Sequence, residues 1–151
     1  MRDLKVTPIK NGTVIDHIPT GMALKVLRVL GIAGDVNSTV SVLMHVPSKN
    51  RGWKDIVKVE DRELNPRELN KIALIAPEAT INIIRNYNVA EKHTVALAER
   101  VVGILKCGNP NCITNGREPV ESVFLVKGKE PLGLVCQYCD RELEDVAAHI
   151  L

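Results

Sequence analysis

The 151-residue sequence has no uninterrupted apolar run approaching the ~20 residues needed to span a bilayer. The opening Met1-Arg2-Asp3-Leu4-Lys5 is not followed by an apolar block, so neither a membrane span nor a secretory leader is expected, and a cytoplasmic location is. Strong charge of one sign is also missing: 20 Lys and Arg stand against 18 Asp and Glu, a net +2, too little to argue for nucleic acid by itself. Recognisable catalytic apparatus is lacking. There is no glycine-rich phosphate loop, no Ser-His-Asp order and no carboxylate pair, and Asp16-His17 has no nucleophile beside it, so a self-contained active site is not expected. Aromatics are scarce at 3%.

What is present is globular composition, 45% hydrophobic and 25% charged, enough for one ordinary domain or two small ones. The charges are unevenly shared. Residues 1–106 hold 16 Lys and Arg against 11 Asp and Glu, whereas residues 107–151 hold 4 against 7. This split predicts two units, and the change of character between Val89 and Lys106 places their boundary near residue 98, giving 1–97 and 98–151.

In the first unit, Lys5 to Lys10, Asn11-Gly12 and Thr13 to Asp16 predict a hairpin, because Asn-Gly accepts the positive φ angles of a tight turn. Ala23, Val26, Leu27 and Leu30 keep one helical face, closed by Gly31. Thr39 to Val46 alternates as a strand, and Asp55 to Val59 fits another. A second helix starts at Asn65, with Pro66 at its first position, Glu68 placed for a capping box, and Leu64 and Leu69 spaced as a staple. Its buried stripe is Leu69, Ile72, Ala73 and Ala76, Pro77 stops it, and Thr80 to Arg85 forms a strand. The predicted order is ββαββαβ, an α+β sheet with two helices on one face. From Val89 to Lys106 a polar linker is expected, with Ala96 to Gly103 a short helix or an extended segment.

The most specific chemistry is the set Cys107, Cys112, Cys136 and Cys139: Cys-x4-Cys, 23 residues, then Cys-x2-Cys. Each close pair sets two thiolates on a tight turn, and four soft ligands select one zinc ion. Gly108, Asn109, Pro110 and Asn111 are turn formers, and strands over Pro119 to Val126 and Leu132 to Val135, joined by Lys127 to Pro131, would bring the pairs together as an all-β zinc ribbon. A unit of ~45 residues buries too little apolar surface to fold reliably alone, whereas structural zinc can supply ~10–16 kcal/mol. Four cysteines leave no open position for a catalytic water. Two disulfides, or a redox Cys-x2-Cys, are the competing readings. His45, His93 and His149 are not needed as ligands. A zinc-ribbon nucleic-acid-binding module is the main functional rival, but residues 107–151 are acidic and offer only Phe124 and Tyr138 for stacking.

Three phrases stand in succession in the first unit: Asn11-Gly12-Thr13-Val14-Ile15-Asp16-His17-Ile18-Pro19, Lys54-Asp55-Ile56-Val57-Lys58-Val59-Glu60 and Ala76-Pro77-Glu78-Ala79-Thr80-Ile81-Asn82. With Cys107-Gly108-Asn109-Pro110-Asn111-Cys112-Ile113, Glu118-Pro119-Val120 and Cys136-Gln137-Tyr138-Cys139, the chain closely resembles the regulatory chains of aspartate carbamoyltransferase along essentially its whole length. The resemblance implies a non-catalytic subunit of an enzyme of pyrimidine synthesis. Its first domain would bind nucleoside triphosphates (CTP as inhibitor, ATP as activator, UTP as a further candidate), and its zinc domain would dock on catalytic trimers bridged by regulatory homodimers. The positions it implies for the nucleotide are Ile9, Asp16, His17, Lys58, Asn82, Ile84, Tyr87, Val89 and Lys92. Pro8 departs from the pattern and has no N–H to donate to a base. Thr39 to Val46 is the candidate pairing strand between regulatory chains, and Asn109, Asn111 and Tyr138 are the candidate protein-facing surface.

Overall fold

The computed structural model describes residues 8–32, 37–49, 52–129 and 132–151. The chain divides into two compact units, Met1–Ala96 and Leu97–Leu151.

In the first unit the order is β1 (Gly12–Ile18), α1 (Ala23–Val29), β2 (Val40–Ser48), β3 (Gly52–Glu60), α2 (Pro66–Ile75), β4 (Thr80–Arg85) and β5 (Asn88–Thr94). The strands form one antiparallel sheet in the order β2-β3-β1-β4-β5. The α+β class is as expected, but the order is βαββαββ. β1 pairs with β3 along one edge and with β4 along the other, so it has no edge left for a hairpin through Asn11-Gly12. Of the expected first strand, residues 5–7 lie outside the described residues, and 8–10 are not in a strand. Gly12 serves close approach instead: at φ +142° a β carbon there would lie 2.2 Å from Val59 O.

The tight turn falls at Asn86-Tyr87, whose φ angles of 52° and 67° join β4 to β5 as a primed hairpin turn. The expected linker from Val89 is therefore an edge strand in its first part. All seven residues of β5 are exposed, and a strand with neither face buried carries no alternation to detect.

Helix α2 forms where its caps dictate. Asn65 Oδ1 accepts from Glu68 N at 2.9 Å, Glu68 Oε1 accepts from Asn65 N at 3.1 Å, and Pro66 opens the first turn. The helices pack on each other, and α1 also lies against β2 and β3. Ala23, Val26, Leu30, Ile72, Ala73 and Ala76 are buried together with Thr13, Ile15, Val57, Val59, Ile81 and Ile83 of the sheet. The strand residues of alternate parity, among them Val14, Asp16, Ile56, Lys58 and Asn82, are half-buried on the opposite face.

The second unit holds a three-stranded antiparallel sheet in the order β6-β7-β8, with β6 at Arg100–Val102, β7 at Val123–Lys129 and β8 at Leu132–Cys136. The segment left open between helix and extended linker contributes β6. β7 starts later than expected and runs through Lys127-Gly128-Lys129, the stretch expected as the connection. Phe124, Leu134 and Leu105 are fully buried at its core. The chain end is tied down: Lys106 N donates to His149 O at 2.8 Å and Leu151 N to Ile104 O at 2.7 Å, closing the segment that leads into Cys107. Among the described residues no helix is long and apolar enough to cross a membrane.

Candidate functional site

The face of the first sheet that the helices leave open carries a cross-strand row. Lys58 of β3 stands opposite Val14 of β1, Val14 opposite Asn82 of β4, and Asn82 opposite Lys92 of β5. At about 4.8 Å per strand spacing, the two lysines rise from backbone positions about 14 Å apart, with a small apolar residue and an amide between them. Burial lowers the Lys58 pKa from the usual lysine value, and the nearby Asp16 carboxylate opposes that shift. A half-buried ammonium held this way gains from an incoming anion.

Asp16 and His17 sit in a β1 bulge, where the register with β3 shifts between Ile15 and Ile18, and His17 takes φ 59°. Asp16 Oδ1 accepts from the His17 backbone N–H at 2.6 Å, and the His17 Nδ1 lies 3.0 Å from Thr80 Oγ1. Lys54 Nζ stands 3.0 Å from Asp16 Oδ1, so a third lysine shares this face. The sequence reading missed Lys54; its two-residue and four-residue spacing from Ile56 and Lys58 along β3 was the available signal.

At the other end of β1, Tyr87 N donates to Lys10 O at 2.9 Å and Asn86 N donates to Asn11 Oδ1 at 3.1 Å. These bonds bring the Asn86-Tyr87 turn to the segment holding Ile9. Ile9 and Ile84 are buried, Val89 is exposed, and Tyr87 is 67% exposed. The nine expected positions thus lie on or around one sheet face, with Ile9, Tyr87 and Val89 at one end of it and Asp16 and His17 at the other.

In the second unit the four cysteine sulfurs lie within 4.8 Å of one another. Cys107 and Cys139 Sγ are 3.6 Å apart, and Cys112 and Cys136 Sγ are 3.7 Å apart. A tetrahedral ion with ~2.3 Å metal–sulfur bonds requires sulfur–sulfur edges of about 3.8 Å, whereas a disulfide requires ~2.05 Å. The arrangement fits a metal and excludes the disulfide reading. Burial pushes the Cys107 thiol up to about 12 and raises Cys136, although backbone N–H groups oppose it. For Cys139, burial is outweighed by donors including the Arg141 N–H and the Asn109 side chain, and the thiol falls to about 7. Holding a cation therefore requires displacing the protons that burial holds on Cys107 and Cys136.

The loop is braced by residues that the cysteine spacing does not reveal. Asn115 Nδ2 donates to Cys107 O at 2.9 Å and to Asn109 O at 2.8 Å, and Thr114 Oγ1 donates to Cys112 Sγ at 3.2 Å. Asn109, expected on a protein-facing surface, spends its Oδ1 on Asn111 N at 3.0 Å. Asn111 is exposed, and Tyr138, in the turn between the last two cysteines, is 45% exposed.

Two family models divide the chain as its units do: "Aspartate carbamoyltransferase regulatory chain, allosteric domain" over residues 4–96, and "Aspartate carbamoyltransferase regulatory chain, metal binding domain" over residues 99–148. The chain belongs to the aspartate carbamoyltransferase regulatory chain family. The regulatory chain of Methanothrix thermoacetophila is 58% identical over 151 residues, covering 99% of this chain and 98% of that one. The regulatory chain of Pyrococcus horikoshii is 56% identical, covering 96% and 95%, and that of Thermoplasma acidophilum is 52% identical, covering 94% of each. A regulatory chain is a non-catalytic subunit, and its name implies association with catalytic chains. The four-cysteine cluster lies within the metal-binding domain.

Proposed function

We propose that this regulatory chain binds nucleoside triphosphates on the open face of its first sheet, CTP as inhibitor and ATP as activator, with UTP a further candidate. The observation that carries this reading is the row of Lys58, Asn82 and Lys92 beside the Lys54–Asp16 pair, in a domain of the allosteric family. Lys58, Lys92 and His17 meet the phosphates, Asp16 accepts from ribose hydroxyls, and the backbone around Ile9, Ile84, Tyr87 and Val89 lies along the base edge.

The four cysteines hold one structural zinc ion, the ion that a tetrahedral all-thiolate set selects. The zinc unit docks on catalytic trimers through Asn111 and Tyr138, with Asn109 shaping the loop. Two regulatory chains pair along β2, an edge strand whose Met44 is 42% exposed. Effectors act by binding one of two quaternary states better than the other, with coupling typically worth ~1–3 kcal/mol. The assembly is cytoplasmic and uses neither nucleic acid nor membrane.

Mixing the chain with catalytic trimers, with and without zinc, and following sedimentation and the CTP response of the enzyme tests partner, metal and ligand together. The expected result is a large zinc-dependent complex whose turnover falls with CTP. Assembly that survives complete zinc removal, or a complex indifferent to both CTP and ATP, overturns the corresponding part.

A further inference from the structure

Asp55 is fully buried, the following residue on β3 after Lys54, and its side chain points to the opposite face from the proposed nucleotide row. Each carboxylate oxygen accepts two hydrogen bonds. Oδ1 accepts from His45 N at 2.8 Å and from Thr20 Oγ1 at 3.2 Å; Oδ2 accepts from Gly21 N at 2.8 Å and Ala23 N at 3.1 Å. Four donors fill the acceptor capacity of an ionised carboxylate, which is what allows it to be buried.

Those donors come from two separate places. Thr20, Gly21 and Ala23 belong to the segment that follows β1, separated from Asp16-His17 by Ile18-Pro19, and opens α1, whose N-cap residue Met22 supplies no side-chain cap. His45 lies in the β2 bulge, where the register with β3 shifts between Leu43 and Val46 and φ is 60°. Both bulges, Asp16-His17 on β1 and Met44-His45 on β2, therefore flank the same short stretch of β3, one on each side.

A second connection runs in parallel. Thr20 Oγ1 has one proton and gives it to Asp55, so its 3.3 Å contact with His45 Nδ1 is one in which the hydroxyl accepts from the ring. That ring stacks on Trp53 at 4.0 Å between centroids, inclined 15°. A displacement of the Thr20–Ala23 segment, which follows the β1 bulge by way of Ile18-Pro19, must therefore carry the β2 bulge with it through Asp55, or break hydrogen bonds to a charge with no access to water.

We propose that Asp55 is a positioning residue that couples the Asp16-His17 bulge of the nucleotide face to the Met44-His45 bulge of edge strand β2, so that effector binding alters pairing between two regulatory chains. The inference rests on the nucleotide and β2-pairing readings above, and its test separates failure of the nucleotide reading from failure of the coupling.

The first measurement uses the unmodified zinc-loaded chain. Amide hydrogen exchange is followed by NMR at Gly21, Ala23 and His45, with and without saturating CTP, after calorimetric titration has established whether CTP binds. The expected result is a coordinated change of fivefold or more at all three amides. CTP binding that leaves the three unchanged overturns the coupling but not the nucleotide site, whereas absence of CTP binding overturns both.

The second measurement compares the dimer dissociation constant with and without CTP for the unmodified chain and for Asp55→Asn, whose amide nitrogen cannot accept from two of the four donors. The unmodified chain is expected to show a several-fold CTP-dependent shift. Asp55→Asn should still bind CTP through Lys58 and Lys92 and still dimerise, but lose most of that shift. A retained shift in Asp55→Asn, or no shift in a CTP-binding unmodified chain, overturns the proposal. If Asp55→Asn does not fold, the exchange experiment decides alone.

Discussion

Lys54 Nζ lies 3.0 Å from Asp16 Oδ1 on the open face of the first sheet, with both side chains about one-fifth to one-quarter exposed. The pair holds the Asp16 side chain beside a lysine row, where a free carboxylate would otherwise repel a triphosphate. A partly exposed ion pair contributes about 1 kcal/mol or less to stability, so Lys54→Met is expected to lower stability only slightly. Its larger expected effect is on CTP affinity, a fall of about tenfold, because one cation is lost and one anion is unmasked. Calorimetric titration against a chemical denaturation curve separates the two.

Lys58 gives a pH dependence with a definite sign. Burial lowers its pKa in the folded chain, so between that value and the ordinary lysine value the unfolded state binds more protons than the folded one. Stability therefore rises with pH across that window. Triphosphate affinity is expected to move the opposite way, because a phosphate is attracted by the ammonium and not by the neutral amine. CTP binding should weaken on the alkaline side at a lower pH than for an ordinary lysine. Lys58→Met should bind CTP at least tenfold more weakly at pH 7 and lose this alkaline decline, without loss of stability. A Lys58→Met variant that binds CTP normally removes Lys58 from the site.

How much of this was legible in the sequence follows from where the signals reside. The capping box at Asn65 and Glu68 is written in adjacent residues, and α2 begins where it says. The cysteine spacing likewise specifies a cluster whose geometry is local to two turns. Asn11-Gly12 misled because the glycine answers a steric demand from Val59, a residue 47 positions away that no local turn rule sees. Strand β5 was hidden because an exposed edge strand has no buried face to imprint a period. The two bulges were invisible for a related reason: the alternation written through Thr39 to Val46 is local, whereas the register shift between Leu43 and Val46 goes with a hydrogen bond from the His45 amide to Asp55 on the neighbouring strand. Lys54 and Asp55 illustrate the general point. Neighbours in sequence, they face opposite sides of the sheet, and only the fold says which partners each one meets.

The β2 edge yields a prediction about association. β2 has one paired side, toward β3, and Met44 is 42% exposed at its bulge. A lysine on an edge strand costs little in a monomer but opposes pairing with a second copy. Met44→Lys and Val42→Lys are each expected to shift sedimentation from dimer toward monomer at micromolar concentration, with the metal unit still loaded. A chain carrying either substitution that sediments as a normal dimer places the pairing surface elsewhere.

Removal of the metal should divide the chain thermodynamically along its unit boundary. The second unit is 55 residues long, from Leu97 to Leu151, with a core centred on Phe124, Leu134 and Leu105 and four sulfurs facing one another. So small a core cannot offset its chain entropy, while a tetrathiolate zinc site supplies about 10–16 kcal/mol of apparent binding free energy that is also folding free energy. Because the thiols must lose protons to bind it, and Cys107 holds its proton up to about 12, metal affinity should fall steeply as pH is lowered. The first unit has its own core, with the helices packed on each other and α1 against the five-stranded sheet, and is expected to stay folded without the metal. Elemental analysis is expected to give one zinc per chain. Chelation, or Cys136→Ser, should abolish the protected amides of β7 and β8 and the association with catalytic trimers, while β1, β3 and β4 keep theirs and CTP still binds. Loss of protection in both units on chelation would show that the first depends on the second for its fold.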